Sequence, residues 1–421
     1  MPRLRPPVPV QGLQRPRPLQ RLVSLLGPDL AGARQSLVAL GVSLLASFVA
    51  GLTLGSIEST LVALPGLLVL VPAAIGMRGT IFGALGSRLS TTIHTGTFGL
   101  SRRPDTVVGQ NVLASVVLSL STALALAFMA KGVAIAFGLP GTISIPDLVV
   151  ISVLAGIMSS IVVLVLTVAL AAGSVRKGWD MDNVMAPVIT AAGDMVTLPA
   201  IFLSTLLVSI DVVTPVLATV LTALSLTTLV IGLRSKLVIL HRVLIESLPV
   251  VLLAGLVGLV AGITIEKRLD SFIEFPALLI VVPPFLASAG ALGGILSSRL
   301  TSALHLGTIR ASRVPEGRAR SDIALTFVLA VPLFVLVSVV VDIGAVVTGL
   351  ASPGWLRMLG VTLIGGVLAT CFVVLVAYYG ALAALRLHVD PDTYGIPLVT
   401  SSVDLVGAFA LILAIVAVGI G

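Results

Sequence analysis

Apolar residues in this chain come in long runs, without the alternation of half-buried strands or the one-faced pattern of surface helices. Eleven runs are long enough to cross a bilayer: roughly 36–57, 61–98, 108–136, 147–173, 186–209, 212–233, 247–265, 272–309, 321–348, 357–385 and 396–420. About 20 apolar residues suffice for one helical span. The second and eighth runs are too long for one straight span. Both contain prolines and glycines: Pro65, Pro72, Gly76, Gly79 and Gly83 in one, Pro276, Pro283, Pro284, Gly290 and Gly294 in the other. Interrupted helices are therefore expected there, with freed backbone that lines a cavity or lies inside protein.

The pattern repeats. "PGLLVLVPAAIGMRG" from Pro65 matches "PALLIVVPPFLASAG" from Pro276, and "SRLSTTIHTGT" from Ser87 matches "SRLTSALHLGT" from Ser298, both at an offset of 211. Asp180, Asp182, Pro187, Thr190 and Asp194 match Asp390, Asp392, Pro397, Thr400 and Asp404 at an offset of 210. The slip of one residue is expected in the loop after the third helix of a repeat, where an insertion is cheapest. Two five-span repeats joined directly would point opposite ways, and the additional run at 212–233 restores a common orientation. The expected fold is all-α, with about eleven transmembrane helices as two parallel five-helix repeats plus a linking helix (5+1+5), related by a pseudo-two-fold axis. Its divisions are a disordered Pro/Arg-rich cytoplasmic tail at 1–33, a first repeat at 34–210, a linking helix at 211–240 and a second repeat at 241–421. The tail lacks the apolar core and cleavage site of a signal peptide, so the first helix is expected to be retained.

Composition supports the membrane assignment: 57% of residues are hydrophobic and 10% charged, against about 25% charged in soluble domains. The basic residues are sided. Arg102, Arg103, Arg176, Lys177, Arg234, Lys236, Arg310 and Arg313 fall in one set of loops, with Lys131, Lys267, Arg268 and Arg357 in the other. The positive-inside rule then puts the N-terminus in the cytoplasm and the C-terminus outside a cell membrane. The net charge of +7 has no interleaved aromatics of the kind that bind nucleic acid. The single cysteine, Cys371, excludes a disulfide framework or a cysteine-built metal site.

Asp194 and Asp404 are the costly residues, since a carboxylate at the centre of a spanning helix costs about 2.5–3.5 kcal/mol on insertion scales. Thr190 and Thr400 precede them by four residues and share their helix faces. Two such faces about a pseudo-two-fold axis would surround one path with two carboxylates and several neutral oxygens. A hard divalent cation fits that set, because Mg²⁺ prefers octahedral oxygen at about 2.0–2.1 Å and needs only one or two carboxylates.

At this point "VDPDTYGIPLVTSSVD" (Val389 to Asp404) resembles the signature of the MgtE-type magnesium transporters, and "WDMDNVMAPVITAAGD" is a looser copy. The "SRLST" blocks resemble the fused two-repeat eukaryotic branch of that family, a solute carrier group. The resemblance implies that Asp194 and Asp404 are metal ligands, each aided by the backbone carbonyl four residues earlier, at Thr190 and Thr400. It also implies Mg²⁺ as transported ion, with no organic cofactor. In place of the bacterial Asn- and Gln-containing turn, this chain has "MRGT" (Met77–Thr80) and "SAGA" (Ser288–Ala291).

Simpler roles are expected elsewhere. Asp180, Asp182, Asp390 and Asp392 read as helix caps, Arg88 and Arg299 as interfacial anchors, and His94 and His305 as interfacial packing. Lys131 and Asp342, at matched positions, are candidates for a salt bridge between the repeats. Arg78 has no counterpart in the other repeat; repulsion of cations and pairing with a carboxylate both stay open. The expected function is a divalent cation transporter or channel, not an enzyme. The alternatives are a monovalent-cation or proton-coupled exchanger on the same scaffold and, remotely, an intramembrane aspartyl protease, whose GxGD signature is absent. Expected partners are divalent metal ions and the lipid bilayer, with no nucleic acid, and the internal pseudo-dimer is compatible with a monomer.

Overall fold

The computed structural model describes residues 30–99, 103–177, 181–305, 307–387 and 396–420. Thirteen helices occur among them. The first repeat region holds α1 (Leu30–Ser56), a short α2 (Glu58–Ala63), α3 (Leu67–His94), α4 (Val107–Ala136), α5 (Ile145–Lys177) and α6 (Met181–Thr205). Next comes α7 (Val213–Leu233). The same order then recurs as α8 (Val238–Glu266), short α9 (Leu269–Glu274), α10 (Ala277–His305), α11 (Arg318–Thr348), α12 (Trp355–Leu387) and α13 (Ile396–Ala417). Ten of these are long and apolar enough to span, and α1 contributes a further apolar helix over Leu40–Ser56. The protein is a multi-pass, all-helical membrane protein of about eleven spans.

The expected interruptions are smaller than the sequence suggested. Pro65 and Pro276 separate α2 from α3 and α9 from α10, near one end of the bundle. Beyond them α3 and α10 run on without a break for 28 and 29 residues, with Pro72, Pro283 and Pro284 inside. The prolines are tolerated because buried neighbours surround them: Leu67, Leu68, Val69, Leu70 and Val71 of α3 and Leu278, Leu279, Ile280, Val281 and Val282 of α10 are all buried. A helix apolar all round belongs in the interior, and these two form the centre. At the other extreme is α7, whose spanning window is only 22% buried and which lies on the outside of α4 and α5.

The two halves are interlocked. The first helix of each half packs along the second helix of the other, α1 on α10 and α8 on α3. Glycine stands at both crossings. A methyl group on Gly51 would collide with the carbonyl of Ile280, and one on Gly262 with the carbonyl of Val69; Gly51 and Gly262, like Val69 and Ile280, are 211 residues apart. Small residues let helix backbones approach where lipid supplies no hydrophobic drive. Polar contacts reinforce α8. Its first-turn N–H groups at Ile239 and Leu240 donate to Gln110 Oε1 of α4 (2.9 and 3.4 Å). Its last residue, Glu266, accepts from the N–H groups of Gly66 (2.7 Å) and Leu68 (3.1 Å) at the start of α3.

The expected Lys131–Asp342 bridge is not formed. Lys131 Nζ donates instead to Thr142 O (3.1 Å), Thr142 Oγ1 (2.6 Å) and Ile143 O (2.9 Å), tying down the loop that follows its own helix. These carbonyls are nearer in sequence and cost no crossing of the bundle. Arg299, read as a simple anchor, pairs with the buried Asp322 at 3.1 Å. Its counterpart Arg88 has Asn111 at the register position of that aspartate and reaches Ser247 Oγ at 3.4 Å. Asp180, Asp390 and Asp392, the Asp182 and His305 side chains and the tail before Leu30 lie outside the described residues.

Candidate ion site

The second and fifth helices of the repeats, α3, α10, α6 and α13, build the site. On the buried α3 a stripe of half-exposed residues runs over the middle and later turns: Gly76, Gly79, Thr80, Gly83 and Ala84, ending at the exposed Ser87. On α10 the same register gives Ala287, Gly290, Ala291, Gly294, Ile295 and Ser298. The spacing of three and four residues keeps each set on one helix face. Methyl groups added at Gly83, Gly290 or Gly294 would meet no atom within 4 Å. Two central helices thus turn faces of small residues toward open space.

The fifth helices meet α3 within a single turn. A Cβ on Gly79 would lie 3.6 Å from Thr190 Cγ2 and 3.7 Å from Thr190 Oγ1 of α6. A Cβ on Gly76 would lie 3.5 Å from Asp404 Oδ2 of α13. Gly193, adjacent to Asp194, faces Arg78 Cβ with 3.5 Å to spare for a methyl group. Asp194 is 4% exposed, Asp404 and Thr400 are half-buried, and Thr190 is exposed.

Three of the four residues singled out from sequence, Thr190, Asp194 and Asp404, therefore gather about the same turn of α3. Thr400 lies one turn before Asp404 on α13. Among the described residues no hydrogen bond reaches either carboxylate, and no group of three or more His, Cys, Asp or Glu side chains occurs. Two acids and neutral oxygens are the donors at hand. The helix α6 starts at Met181, five residues earlier than its apolar run suggests, so Asp194 stands about midway along it.

Arg78 does not line the space. It is 3% exposed and leaves α3 on the opposite side, where Nη1 donates to Ser160 Oγ of α5 at 2.9 Å. Gly156 makes room, since a Cβ there would sit 2.7 Å from Nη2. The glycines at 76 and 79 were missed as contact points, although their positions on the face of α3 and the matching small residues of α10 were signals in the sequence.

Comparison with known proteins agrees with this architecture. The sequence model of the MgtE family, described as divalent cation transporter, matches residues 71–204 and again 282–414. Among curated proteins, solute carrier family 41 member 3 of Rattus norvegicus is 25% identical over 252 residues, 57% of this chain and 52% of that protein. Solute carrier family 41 member 2 of Gallus gallus is 27% identical over 255 residues, 57% of this chain and 43% of that protein. The chain spans about half the length of these relatives. The Mus musculus member 2 is 25% identical over 371 residues, 82% of this chain and 63% of that protein. No solved structure matches. The double match covers both of the segments that carry Asp194 and Asp404 and more than half of the sequence, and the chain belongs to the MgtE family of divalent cation transporters.

Proposed function

We propose that this chain carries divalent cations, Mg²⁺ in preference to others, along a path between its two repeats. Asp194 and Asp404 are its charged ligands, with oxygens of Thr190 and Thr400 beside them. One observation supports this reading above the rest: Asp404, from the second half, comes against Gly76 of the first half, one turn from where Thr190 meets Gly79 and Gly193, beside Asp194, meets Arg78. Two like charges in the interior of a membrane bundle repel and are poorly solvated. A dication between them offsets both costs at once, whereas a monovalent ion leaves one charge over. The small-residue faces of α3 and α10 leave width for an ion that keeps part of its water, as Mg²⁺ does.

In this reading the two repeats, 34–210 and 241–421, are the two walls of the path and 211–240 is a joint between them. Sidedness follows from the basic loops, with the N-terminus cytoplasmic. The test is Mg²⁺ flux into liposomes holding the purified chain, alongside Asp194→Asn and Asp404→Asn. Flux lost in both folded variants is the expected result. Flux that survives both removes the aspartates from the mechanism, and Na⁺ abolishing Mg²⁺ entry at equal concentration favours a monovalent site.

A further inference from the structure

Arg78 fills a space that the other repeat fills with rings. In the second half, Phe334 of α11 packs on Gly366 of α12, so closely that a methyl group there would clash with the ring, and on Phe285 of α10 at 5.1 Å between centroids. The matching residues of the first half are Ala123, Gly156 and Ala74. Ala123 keeps its place beside Gly156, where a Cβ would be 3.0 Å from its own. The Arg78 guanidinium stands over Gly156 where the Phe334 ring stands over Gly366. At the position of Arg78 the second half has the buried Ala289. The scaffold can therefore close this space with apolar groups, yet in one half it uses a cation.

That cation is poorly served as a structural element. Its one described hydrogen bond is to Ser160, and the buried Nε has no partner. A structural arginine in a membrane interior would be paired with a carboxylate or saturated with carbonyls. Its guanidinium runs to α5, while the root of its side chain stands on the stretch of α3 that meets the two fifth helices. In sequence Arg78 stands between Gly76, against Asp404, and Gly79, against Thr190, and its Cβ faces Gly193 beside Asp194, while its charged end leaves on the other side of α3.

We infer that Arg78 sets the affinity of the path for its ion, a fixed positive charge behind the wall that weakens cation binding at Asp194 and Asp404 enough for release. The inference rests on the ion-site reading above. For any separation of about 10–15 Å and an effective dielectric of about 20, a unit charge changes the binding constant of a dication roughly 40- to 300-fold, and water in the path reduces this to about tenfold. The effect on a monovalent ion is the square root of that. Without the charge, Mg²⁺ would be held too well and turn over slowly.

The experiment is Mg²⁺ flux against concentration in liposomes for the whole chain, Arg78→Met and Arg78→Lys. A triple variant, Ala74→Phe with Ala123→Phe and Arg78→Ala, rebuilds the apolar filling of the second half. Arg78→Met and the triple variant are expected to half-saturate at about tenfold lower Mg²⁺, with a lower maximal flux, while Arg78→Lys stays within about twofold of the parent. Unchanged half-saturation in either folded apolar variant overturns the inference. So does a lowered maximal flux that lysine fails to restore. If both apolar variants fail to fold while lysine folds, the charge serves folding and the inference is wrong. Asp194→Asn and Asp404→Asn separate the two readings. Flux that survives them sinks the site itself, whereas flux lost in them beside a parent-like Arg78→Met sinks only the role of Arg78.

Discussion

Gly76 and Asp404 belong to different halves of the chain, yet a single methyl group would bring them into van der Waals contact, with 3.5 Å between a Cβ at 76 and Oδ2. The side chain at 76 thus sets how closely the second repeat's carboxylate can approach α3. Gly76→Ala fits at that distance and is expected to keep most of its flux. Gly76→Val adds two carbons toward the carboxylate and should move it, raising half-saturating Mg²⁺ by about tenfold, the equivalent of about 1.4 kcal/mol of lost binding. Flux against Mg²⁺ concentration in liposomes reads this. A valine variant with parent-like half-saturation would mean that Asp404 does not contribute to binding.

Glu266 predicts a stability effect at the end of the same helix. Its carboxylate accepts two N–H groups from the first turn of α3 across the interface between the halves. Glu266→Ala leaves buried donors unpaired, each costing about 1–3 kcal/mol, and removes a negative charge from a helix N-terminus. A clear fall in the thermal midpoint of the detergent-solubilised protein is expected. Glu266→Gln keeps one acceptor and should lie between.

How legible was this in the sequence? The duplication was, because the aspartates and the "SRL" blocks are polar marks in an apolar background and keep their spacing. The exchange of first helices was not, since the Leu, Val and Ile of α3 and α10 say that these helices are interior without saying which neighbour covers them. The direction of Arg78 was hidden for a related reason. It depends on Ala123 and Gly156 leaving a hole, and both residues are ordinary in spanning helices. The Lys131–Asp342 pairing failed because matched positions in a two-fold arrangement need not meet, and the carbonyls at 142 and 143 are within reach of the lysine.

The glycine crossings carry the exchange and should be intolerant in pairs. Gly51→Ala and Gly262→Ala each place Cβ on a backbone carbonyl of the opposite half, which cannot move aside as a side chain can. Overpacking of this kind costs about 1–3 kcal/mol. Gly41→Ala, on the same α1 but with nothing within 4 Å, is the control and should be neutral. Equal thermal midpoints for all three would show that the crossing has slack.

Arg88 and Arg299 offer a test of how far the two halves can be made alike. Arg299 Nη2 pairs with Asp322 Oδ1 at 3.1 Å, the arginine about one-third exposed and the acid buried. In the first half the acid is replaced by Asn111, whose Oδ1 is buried without a partner, as is Arg88 Nη1. Asn111→Asp supplies the missing charge. Pairing with Arg88 is expected to raise stability by about 0.5–1 kcal/mol, a modest gain because desolvating the acid offsets much of the attraction. Asp322→Asn should cost about 1–2 kcal/mol, less than for a fully buried pair because water screens Arg299. A double-mutant cycle of Asn111→Asp with Arg88→Gln isolates the new contact. Zero coupling there would mean that Arg88 is held by Ser247 of α8 and cannot turn back to its own repeat.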